Sequence, residues 1–254
     1  MSGRSYILAE TTWKTVRETN YEVAILPWAA TEAHNYHLPY ATDIVECDHI
    51  AAEAARLTWK DGARVIVLPT VPFGVNTGQL DIKLTINMNP STQLAVLNDI
   101  ADSLARQGIP KLLILNGHGG NDFRQIIREL LPKRELFICA LDWFRCLNAA
   151  DFFEDTGDHA GELETSLMQF LTPDLVLPLA EAGDGQTRKF KVRALREGWA
   201  WTQREWMKAT KDTGVGNPQA ATPEKGKRYF EAVTKKIAGF LVELAKADVR
   251  DLYE

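Results

Sequence analysis

Val23-Ala24-Ile25-Leu26-Pro27-Trp28 is a continuous apolar run, and it predicts a buried β-strand near the start of the chain. Three similar apolar runs follow it, separated by longer segments with helical character. Nearly continuous apolar strands that alternate with helices are typical of a mainly parallel sheet covered on both faces. The sequence therefore predicts an α/β fold.

The predicted elements fill the chain without a repeat, a low-complexity tract or a linker, so residues 1–254 are expected to form a single domain. Ser91 follows Pro90 and is expected to cap the second helix. The predicted strands are Val23–Trp28, Arg64–Pro69, Lys111–Leu115 and Leu136–Leu141, and the predicted helices are Ile44–Leu57, Ser91–Gln107, Asp122–Leu131, Glu162–Leu171 and Pro223–Lys246.

Composition excludes several classes of function. The 254 residues carry a formal net charge of −5, whereas a nucleic-acid-binding protein usually presents a basic face. No window approaches the roughly 20 apolar residues that a membrane span needs. The three cysteines are expected to be free thiols and no signal peptide is visible, so a cytoplasmic location is expected.

A first polar cluster follows the first predicted strand. It contains Glu32, His34 and Asp43, and residues two apart in an extended loop point the same way. Carboxylate and imidazole ligands together suit a divalent transition metal such as zinc or manganese. Alternatively, Asp43 caps a helix and the other residues are surface groups.

Two more clusters follow later strands, and ligands in such folds bind at the carboxyl ends of strands. Asn116-Gly117-His118-Gly119-Gly120-Asn121 comes directly after the third strand, and it matches neither GxGxxG nor a P-loop. His159 precedes a predicted helix that carries Glu162 and Glu164. Helical spacing keeps these two glutamates off a common face, so at most one is expected to point into a site.

Alternatively, His118 is an exposed residue in a turn, and Asp158 or Thr156 caps the helix that carries the two glutamates. Of the other histidines, His37 is expected to support a ligand, and His49 is expected to be packed or solvated. The tryptophans at positions 199, 201 and 206 are expected to pack in the core or at a subunit interface, with a substrate-pocket wall as the minority interpretation.

The three motifs together resemble the creatininase (creatinine amidohydrolase) family. Its signature is Glu-x-His-x-x-His-Leu-Pro followed by a Thr-Asp-like pair, then Asn-Gly-His-Gly-Gly-Asn, then His-Ala-Gly-x-x-Glu-Thr-Ser. The matching residues, in the same order, are Glu32 to Pro39, Thr42-Asp43, Asn116 to Asn121, and His159 to Ser166.

The resemblance implies a three-layer α/β/α sandwich, often hexameric, with two divalent metal ions. Zinc is the expected metal, with manganese or iron as alternatives. Carried over to this sequence, Glu32 and His118 would bind one ion, His34 would bind the other, and Asp43 would bridge both. His159 matches the family's catalytic histidine.

The sequence also departs from the family. In creatininase proper, the third ligand of the second metal is a glutamate two residues past the histidine that matches His118, and this chain has Gly120 there. Glu164 is the candidate replacement, with Glu162 behind it. Residues 74–85, Ala33 and Asn35-Tyr36 also differ from the usual pattern and are expected to line the substrate pocket, so creatinine is not expected to be the natural substrate.

The predicted function is metal-dependent hydrolysis of a C–N bond in a small amide or cyclic amide, with water activated by two metals. His159 would deliver a proton to the leaving nitrogen, and Glu164 is counted with it as a catalytic residue. The alternatives are hydrolysis of a keto-cyclitol or lactone at the same centre, and a non-catalytic metal-binding protein. A small-molecule substrate and a homo-oligomer are the expected partners.

Overall fold

Four parallel strands form the central sheet of the computed structural model, which describes residues 3–131 and 135–254. The strand order is β2-β1-β3-β4, and every neighbouring pair is parallel. The strands are β1 (Val23–Trp28), β2 (Val65–Val67), β3 (Lys111–Asn116) and β4 (Phe137–Asp142).

The predicted helices are all present, with one correction at an N-terminus. The second predicted helix is capped by Asn89 rather than Ser91, because Pro90 occupies its first position, where a missing N–H costs nothing. No described helix is long and apolar enough to cross a membrane. The α-helices of the described residues are α1 (Trp13–Glu18), α2 (Thr42–Lys60), α3 (Pro90–Arg106), α4 (Phe123–Leu130), α5 (Glu162–Leu171), α6 (Arg193–Glu197), α7 (Trp206–Ala209) and α8 (Pro223–Lys246).

Helices cover both faces of the sheet, which confirms the three-layer α/β/α arrangement. Alternate residues of β1 point to opposite faces, so Val23 and Ile25 pack against α2, α5 and α8. Ala24, Leu26 and Trp28 pack against α3 and α4 on the other side. All six residues of β1 and all six of β3 are buried, as a two-sided sheet requires.

The order in which strands are added to the sheet changes side at β1, and this change positions the polar clusters. The chain adds β2 on one side of β1 and then crosses to add β3 on the other side. Trp28 at the end of β1 pairs in register with Asn116 at the end of β3. The loops that follow these two strands therefore leave the sheet side by side at a topological switch point, where α/β folds bind ligands.

Gly226 permits the close approach of α8 to α5. A Cβ atom at this position would lie 1.9 Å from the carbonyl oxygen of Ser166. That atom belongs to helix backbone, which cannot move aside alone, so any side chain here must push the two helices apart. Gly239 lies further along α8, and a Cβ atom there would meet nothing within 4 Å.

We expect Gly226→Ala to lower the free energy of unfolding by about 1–3 kcal/mol, the usual cost of overpacking. Gly239→Ala is the matched control, and it should raise the same quantity by about 1 kcal/mol because alanine is the better helix former. Urea denaturation of both variants measures the two effects. Equal changes at the two positions would contradict the close packing of α5 and α8.

Candidate metal centre

The loop after β1 places the first ligand candidates against the start of α2. Glu32 and His34 are buried, and Asp43 lies in the first turn of α2. The Nε2 atom of His34 is 2.8 Å from Oδ1 of Asp43. The helix is capped by Ala41, so the interpretation of Asp43 as a capping residue is wrong. The positive end of the helix dipole stabilises the Asp43 carboxylate in its inward position.

The loop after β3 brings His118 to the same carboxylates. Its Nδ1 atom is 2.8 Å from Oε1 of Glu32 and 3.2 Å from Oδ2 of Asp43. The ring is buried, so the interpretation of His118 as an exposed turn residue is wrong. Asp43 and His118 are 75 positions apart in the chain, and they meet because β1 and β3 are neighbours in the sheet.

Glu162 and Glu164, the two alternative ligands on α5, face different surroundings in the structure. Glu162 accepts hydrogen bonds of 2.8 Å from the backbone N–H groups of Glu154 and Asp155, and it pairs with Lys225 at 2.5 Å. Glu164 points the other way and groups with His34 and Asp43. Glu162 therefore ties loop and helix together, while Glu164 faces the candidate centre.

A glycine, and not a capping side chain, begins α5. Gly161 is the N-cap and no side-chain hydrogen bond caps the helix, so the expectation of a cap from Asp158 or Thr156 is wrong. Ala160 has a φ of 50°, which is unusual for a residue with a side chain. This turn aims the Ala160 N–H at the carboxylate of Glu164 and helps to fix its direction.

Backbone carbonyl groups fix the tautomers of three histidines. Nδ1 of His34 lies 3.1 Å from the Glu32 carbonyl oxygen, Nε2 of His118 lies 3.1 Å from that of Val75, and Nε2 of His159 lies 2.9 Å from that of Ala33. A carbonyl oxygen only accepts, so each of these ring nitrogens carries the hydrogen. The other nitrogen of each ring faces the carboxylates, an orientation that ligating histidines commonly have.

The donor atoms fall into overlapping groups that fit cations. Glu32, Asp43 and His118 form one group, and His34, Asp43 and Glu164 form another, with all atoms of a group within 4.8 Å of one another. Asp43 belongs to both. Nε2 of His34 and Oδ2 of Asp43 are buried, and their only close polar neighbours are other members of these groups, as expected for atoms that ligate a metal ion. The residues present therefore fit two ions that share Asp43.

A third group joins His159 to the same cluster. It contains Glu32, His34 and His159, and the rings of the two histidines have centroids 4.1 Å apart. Nδ1 of His159 stands 3.9 Å from Oε1 of Glu32, farther than the corresponding atom of His118. The edge of the Trp206 ring packs against His159 at 4.8 Å between centroids and restricts its motion.

The buried carboxylates stabilise the protonated, positively charged forms of His34 and His118. Burial disfavours the imidazolium form of His34, yet the carboxylates of Asp43, Glu164 and Glu32 together raise the pKa of His34 to about 10. Burial likewise opposes the charged form of His118, and Glu32 nevertheless raises the pKa of His118 well above its usual value. The pKa of Asp43 is lowered despite burial because His34 and His118 are so close. A divalent cation would compete with these protons for the same atoms.

Gly120 stands where the family resemblance implies a glutamate ligand, and the structure has no room for a side chain at this position. A Cβ atom on Gly120 would lie 2.2 Å from the Val75 carbonyl oxygen and 2.5 Å from Nε2 of His118. The loop that contains Val75 closes over the space that a longer side chain would need. Glu164 stands in the group with His34 and Asp43 that would otherwise lack a third member.

Sequence reasoning missed two polar residues of the centre. The Gln79 amide donates a hydrogen bond to Oε2 of Glu32 and so orients that carboxylate. Glu46 lies one turn beyond Asp43 on α2, fully buried, and neither of its carboxyl oxygens has a hydrogen-bond partner. Burial, with Glu164 and Asp43 nearby, raises the pKa of Glu46 well above its usual value. The i, i+3 spacing from Asp43 was the available signal for Glu46.

The two remaining histidines do not belong to these donor groups; His49 is solvated as expected, and the support of a ligand by His37 stays a prediction. His37 is buried, and its Nε2 lies 2.9 Å from the hydroxyl of Thr165, the residue that follows Glu164. Burial and the neighbouring His34 lower the pKa of His37 to about 4, so it stays neutral. His49 is exposed on α2 and contacts the carbonyl group of Val45.

A cavity of about 600 Å³ opens directly beside the cluster. Its walls include Trp201 and Trp206. Trp201 is 82% exposed and Trp199 is 75% exposed, so the expectation of core packing is wrong for both, while packing at a subunit interface stays a prediction. The minority interpretation, a pocket wall, holds for Trp201 and Trp206.

Part of the expected pocket lining is confirmed. Val75, Asn76, Gly78 and Gln79 line the cavity. The lining does not include Ala33, Asn35 or Tyr36, so the expectation is wrong for these three residues. The Asn35 amide is turned toward the backbone of Gly183, and Tyr36 lies at the surface.

Comparison with known proteins agrees with this geometry. The family model described as creatinine amidohydrolase matches residues 9–241. Creatinine amidohydrolase of Pseudomonas putida is 28% identical over 68% of this chain and 75% of that protein. The mycofactocin precursor peptide peptidase of Mycobacterium ulcerans is 27% identical over 81% of this chain and 79% of its own length.

Solved structures show the same fold. A putative creatinine amidohydrolase from Bacteroides fragilis is 47% identical, with a TM-score of 0.92 over 98% of this chain and 99% of that chain. Creatininase structures in Zn–Zn and Mn forms superpose with TM-scores of 0.77 and 0.78, at 23% identity. They cover 96% of this chain and the whole of the other. The chain belongs to the creatininase family of metal-dependent amidohydrolases.

Proposed function

We propose that this protein hydrolyses a C–N bond in a small amide or cyclic amide at a centre of two divalent metal ions. The single observation that carries the proposal is the pair of donor groups that share Asp43. A carboxylate shared by two ions is the usual arrangement when two metals 3.5–4 Å apart act together in hydrolysis. Zinc is the expected metal, since imidazole and carboxylate ligands suit it, and manganese fits the same donors.

Each residue of the centre has a proposed role. Glu32 and His118 would hold one ion, His34 and Glu164 would hold the other, and Asp43 would be shared by both. Bound at this site, two divalent ions supply Lewis acidity and a water of lowered pKa. Gln79 keeps Glu32 in position through its hydrogen bond.

His159 is the proposed proton donor to the leaving nitrogen. Its Nε2–H is committed to the Ala33 carbonyl oxygen, so Nδ1 is the atom that exchanges a proton with the substrate. Trp206 packs against the ring and keeps bulk water from it. A histidine in this position acts as general acid once the imidazolium form is made.

The adjoining cavity favours catalysis over a purely structural metal site. Structural sites are closed by protein ligands, whereas catalytic sites keep a position open to substrate. The cavity of about 600 Å³ includes Glu32, Asp43, His118 and Glu164 in its lining, so a ligand can reach the centre directly.

The direct test compares metal-loaded and metal-stripped protein on a panel of small amides, cyclic amides, keto-cyclitols and lactones. We expect loaded protein to hydrolyse an amide and stripped protein to be inactive until Zn²⁺ or Mn²⁺ is restored. His159→Ala should retain its metal content and lose about 10²–10⁴-fold in rate. Full activity of the stripped protein would overturn the proposal, and exclusive turnover of the keto-cyclitol or lactone would replace the amide as its substrate.

Glu164 and Glu162 form a matched pair of variants. Glu164→Gln should reduce bound metal from two ions toward one per chain, because the amide replaces an anionic ligand. Glu162→Gln should leave the metal content unchanged and lower stability, since the carboxylate that binds Lys225 and two backbone N–H groups is lost. Elemental analysis together with urea denaturation measures both outcomes, and the reverse pattern would show the assignment of Glu164 to be wrong.

Metal affinity should depend strongly on pH. With the pKa of His34 at about 10, a metal ion must displace a proton throughout the range from pH 6 to 8. The apparent affinity for Zn²⁺ therefore rises with pH, by about 10-fold or more per unit if at least one proton is released. Competition titrations with a chromophoric chelator at several pH values measure this slope, and an affinity independent of pH would contradict the role of His34.

A further inference from the structure

The cavity is larger than the reacting amide group needs. At about 600 Å³ it falls in the size range of pockets that bind drug-sized ligands, so it leaves room for a second recognition group. Besides the residues of the candidate metal centre, the wall of the cavity includes the apolar Phe190, Leu195 and Trp201 and two arginines, Arg145 and Arg204.

The two arginines of the wall differ in their commitments. Arg204 pairs with Asp158 at 2.8 Å, and its guanidinium lies over the Trp206 ring at 4.9 Å. Arg145 lies 3.4 Å from Asp142 at a single nitrogen, its guanidinium lies over the Phe144 ring at 5.7 Å, which uses none of its N–H donors, and its side chain is 66% exposed. The Asp142 carboxylate is itself shared with the side-chain amide of Asn116 at 2.7 Å. Arg145 therefore keeps most of its five donors for another ligand.

The position of Arg145 follows from the fold. It ends a short 3-10 turn, Trp143–Arg145, that begins directly after β4. The last residues of β3 and β4, Asn116 and Asp142, pair in register, so this turn leaves the sheet beside the loop that carries His118. Arg145 thus belongs to the same edge of the sheet as the candidate centre.

A concentration of positive charge flanks the same cavity. Residues 188–196, which we call the basic arm, contain five basic residues and no acidic residue, in a chain whose net charge is −5. Phe190 and Leu195 of the arm line the cavity, while its lysines and arginines are exposed. Four acids also line the cavity, but three of them, Glu32, Asp43 and Glu164, belong to the candidate metal centre, and Asp158 pairs with Arg204. Arg193 pairs with Glu197, so the other four basic residues of the arm give the surroundings of the cavity their excess positive charge, which attracts anionic ligands.

From these observations we infer that the substrate carries an anionic group, a carboxylate or a phosphate, in addition to the scissile amide, and that Arg145 binds this group. The inference rests on the proposed function for the identity of the scissile bond. A guanidinium fork matches the planar carboxylate and the phosphate alike. The apolar wall formed by Phe190, Leu195 and Trp201 would contact the portion that joins the two groups.

The experiment uses zinc-loaded full-length protein and acetamides of ω-amino acids of increasing chain length. Each carboxylate compound is compared with its neutral carboxamide and with the corresponding phosphate monoester. We expect one anionic series to show a higher kcat/KM than the neutral series, and the advantage to shrink as salt is added. The better of the carboxylate and phosphate series identifies the anion.

Arg145→Gln should raise KM for the anionic compounds about 10- to 100-fold, the scale of one lost charge-assisted hydrogen bond, with little change in kcat. The neutral compounds should be unaffected. Arg56→Gln is the matched control, because Arg56 also forms an exposed ion pair with an acid three residues earlier, on α2. An anion preference that is absent, or that persists in Arg145→Gln, overturns the inference.

Binding separates this inference from the proposed function. Equilibrium dialysis of the same anionic compounds against zinc-loaded His159→Ala protein, with and without Arg145→Gln, measures recognition with little turnover, while activity is measured with His159 in place. Binding that depends on Arg145, in the absence of any hydrolysis, would refute the amidohydrolase proposal and leave the anion site supported. Binding that is equal with and without Arg145→Gln would refute the anion site, whatever the activity.

Discussion

The site depends on one constraint: several carboxylates are buried together, and their negative charge must be balanced inside the protein. Glu32 and Asp43 are almost completely buried, and Glu164 faces the same point from α5. A carboxylate removed from water is costly unless a positive charge or several hydrogen bonds replace its hydration. The chain supplies three imidazole rings and one amide, and each ring turns a nitrogen toward the acids. Two divalent cations would complete this balance and release the protons that otherwise hold it together.

The sheet makes the cluster possible by bringing distant loops to one edge. Because β1 and β3 are adjacent and parallel, the segments that follow them start from neighbouring positions. The backbone of these loops then does more than connect strands. Carbonyl groups of Glu32, Ala33 and Val75 orient the imidazoles, so the loop after β1 both provides ligands and positions them. Glycines allow the Val75 loop to lie directly on His118, and the same contact leaves no room for a side chain at Gly120.

Much of this arrangement could be predicted from the sequence, for physical reasons. The apolar runs of β1 and β3 fixed the parallel sheet, and Glu162–Leu171 and Pro223–Lys246 have the bounds that periodicity and the initial proline indicate. The spacing of Glu162 and Glu164 indicated that only one could enter a site, but the choice needed Lys225, which lies on another helix. The i, i+3 spacing from Asp43 is the one local signal for Glu46, and Gln79 has none that marks it as the partner of Glu32; only the fold shows that both side chains are buried. The sequence favours the core or a subunit interface for Trp201, because apolarity alone does not distinguish either place from a pocket wall.

Two acids near the start of α5, Glu162 and Glu164, have different roles: one stabilises the fold and the other belongs to the candidate metal centre. One binds Lys225 of α8 and secures the helix, and the other faces the imidazole of His34. The central claim is that Asp43 bridges two cations, each completed by residues from different loops. Anomalous diffraction at the zinc edge from crystals of zinc-loaded protein tests it most directly. The account predicts two peaks about 3.5–4 Å apart on either side of the Asp43 carboxylate. A single peak, or peaks away from Asp43, would contradict it.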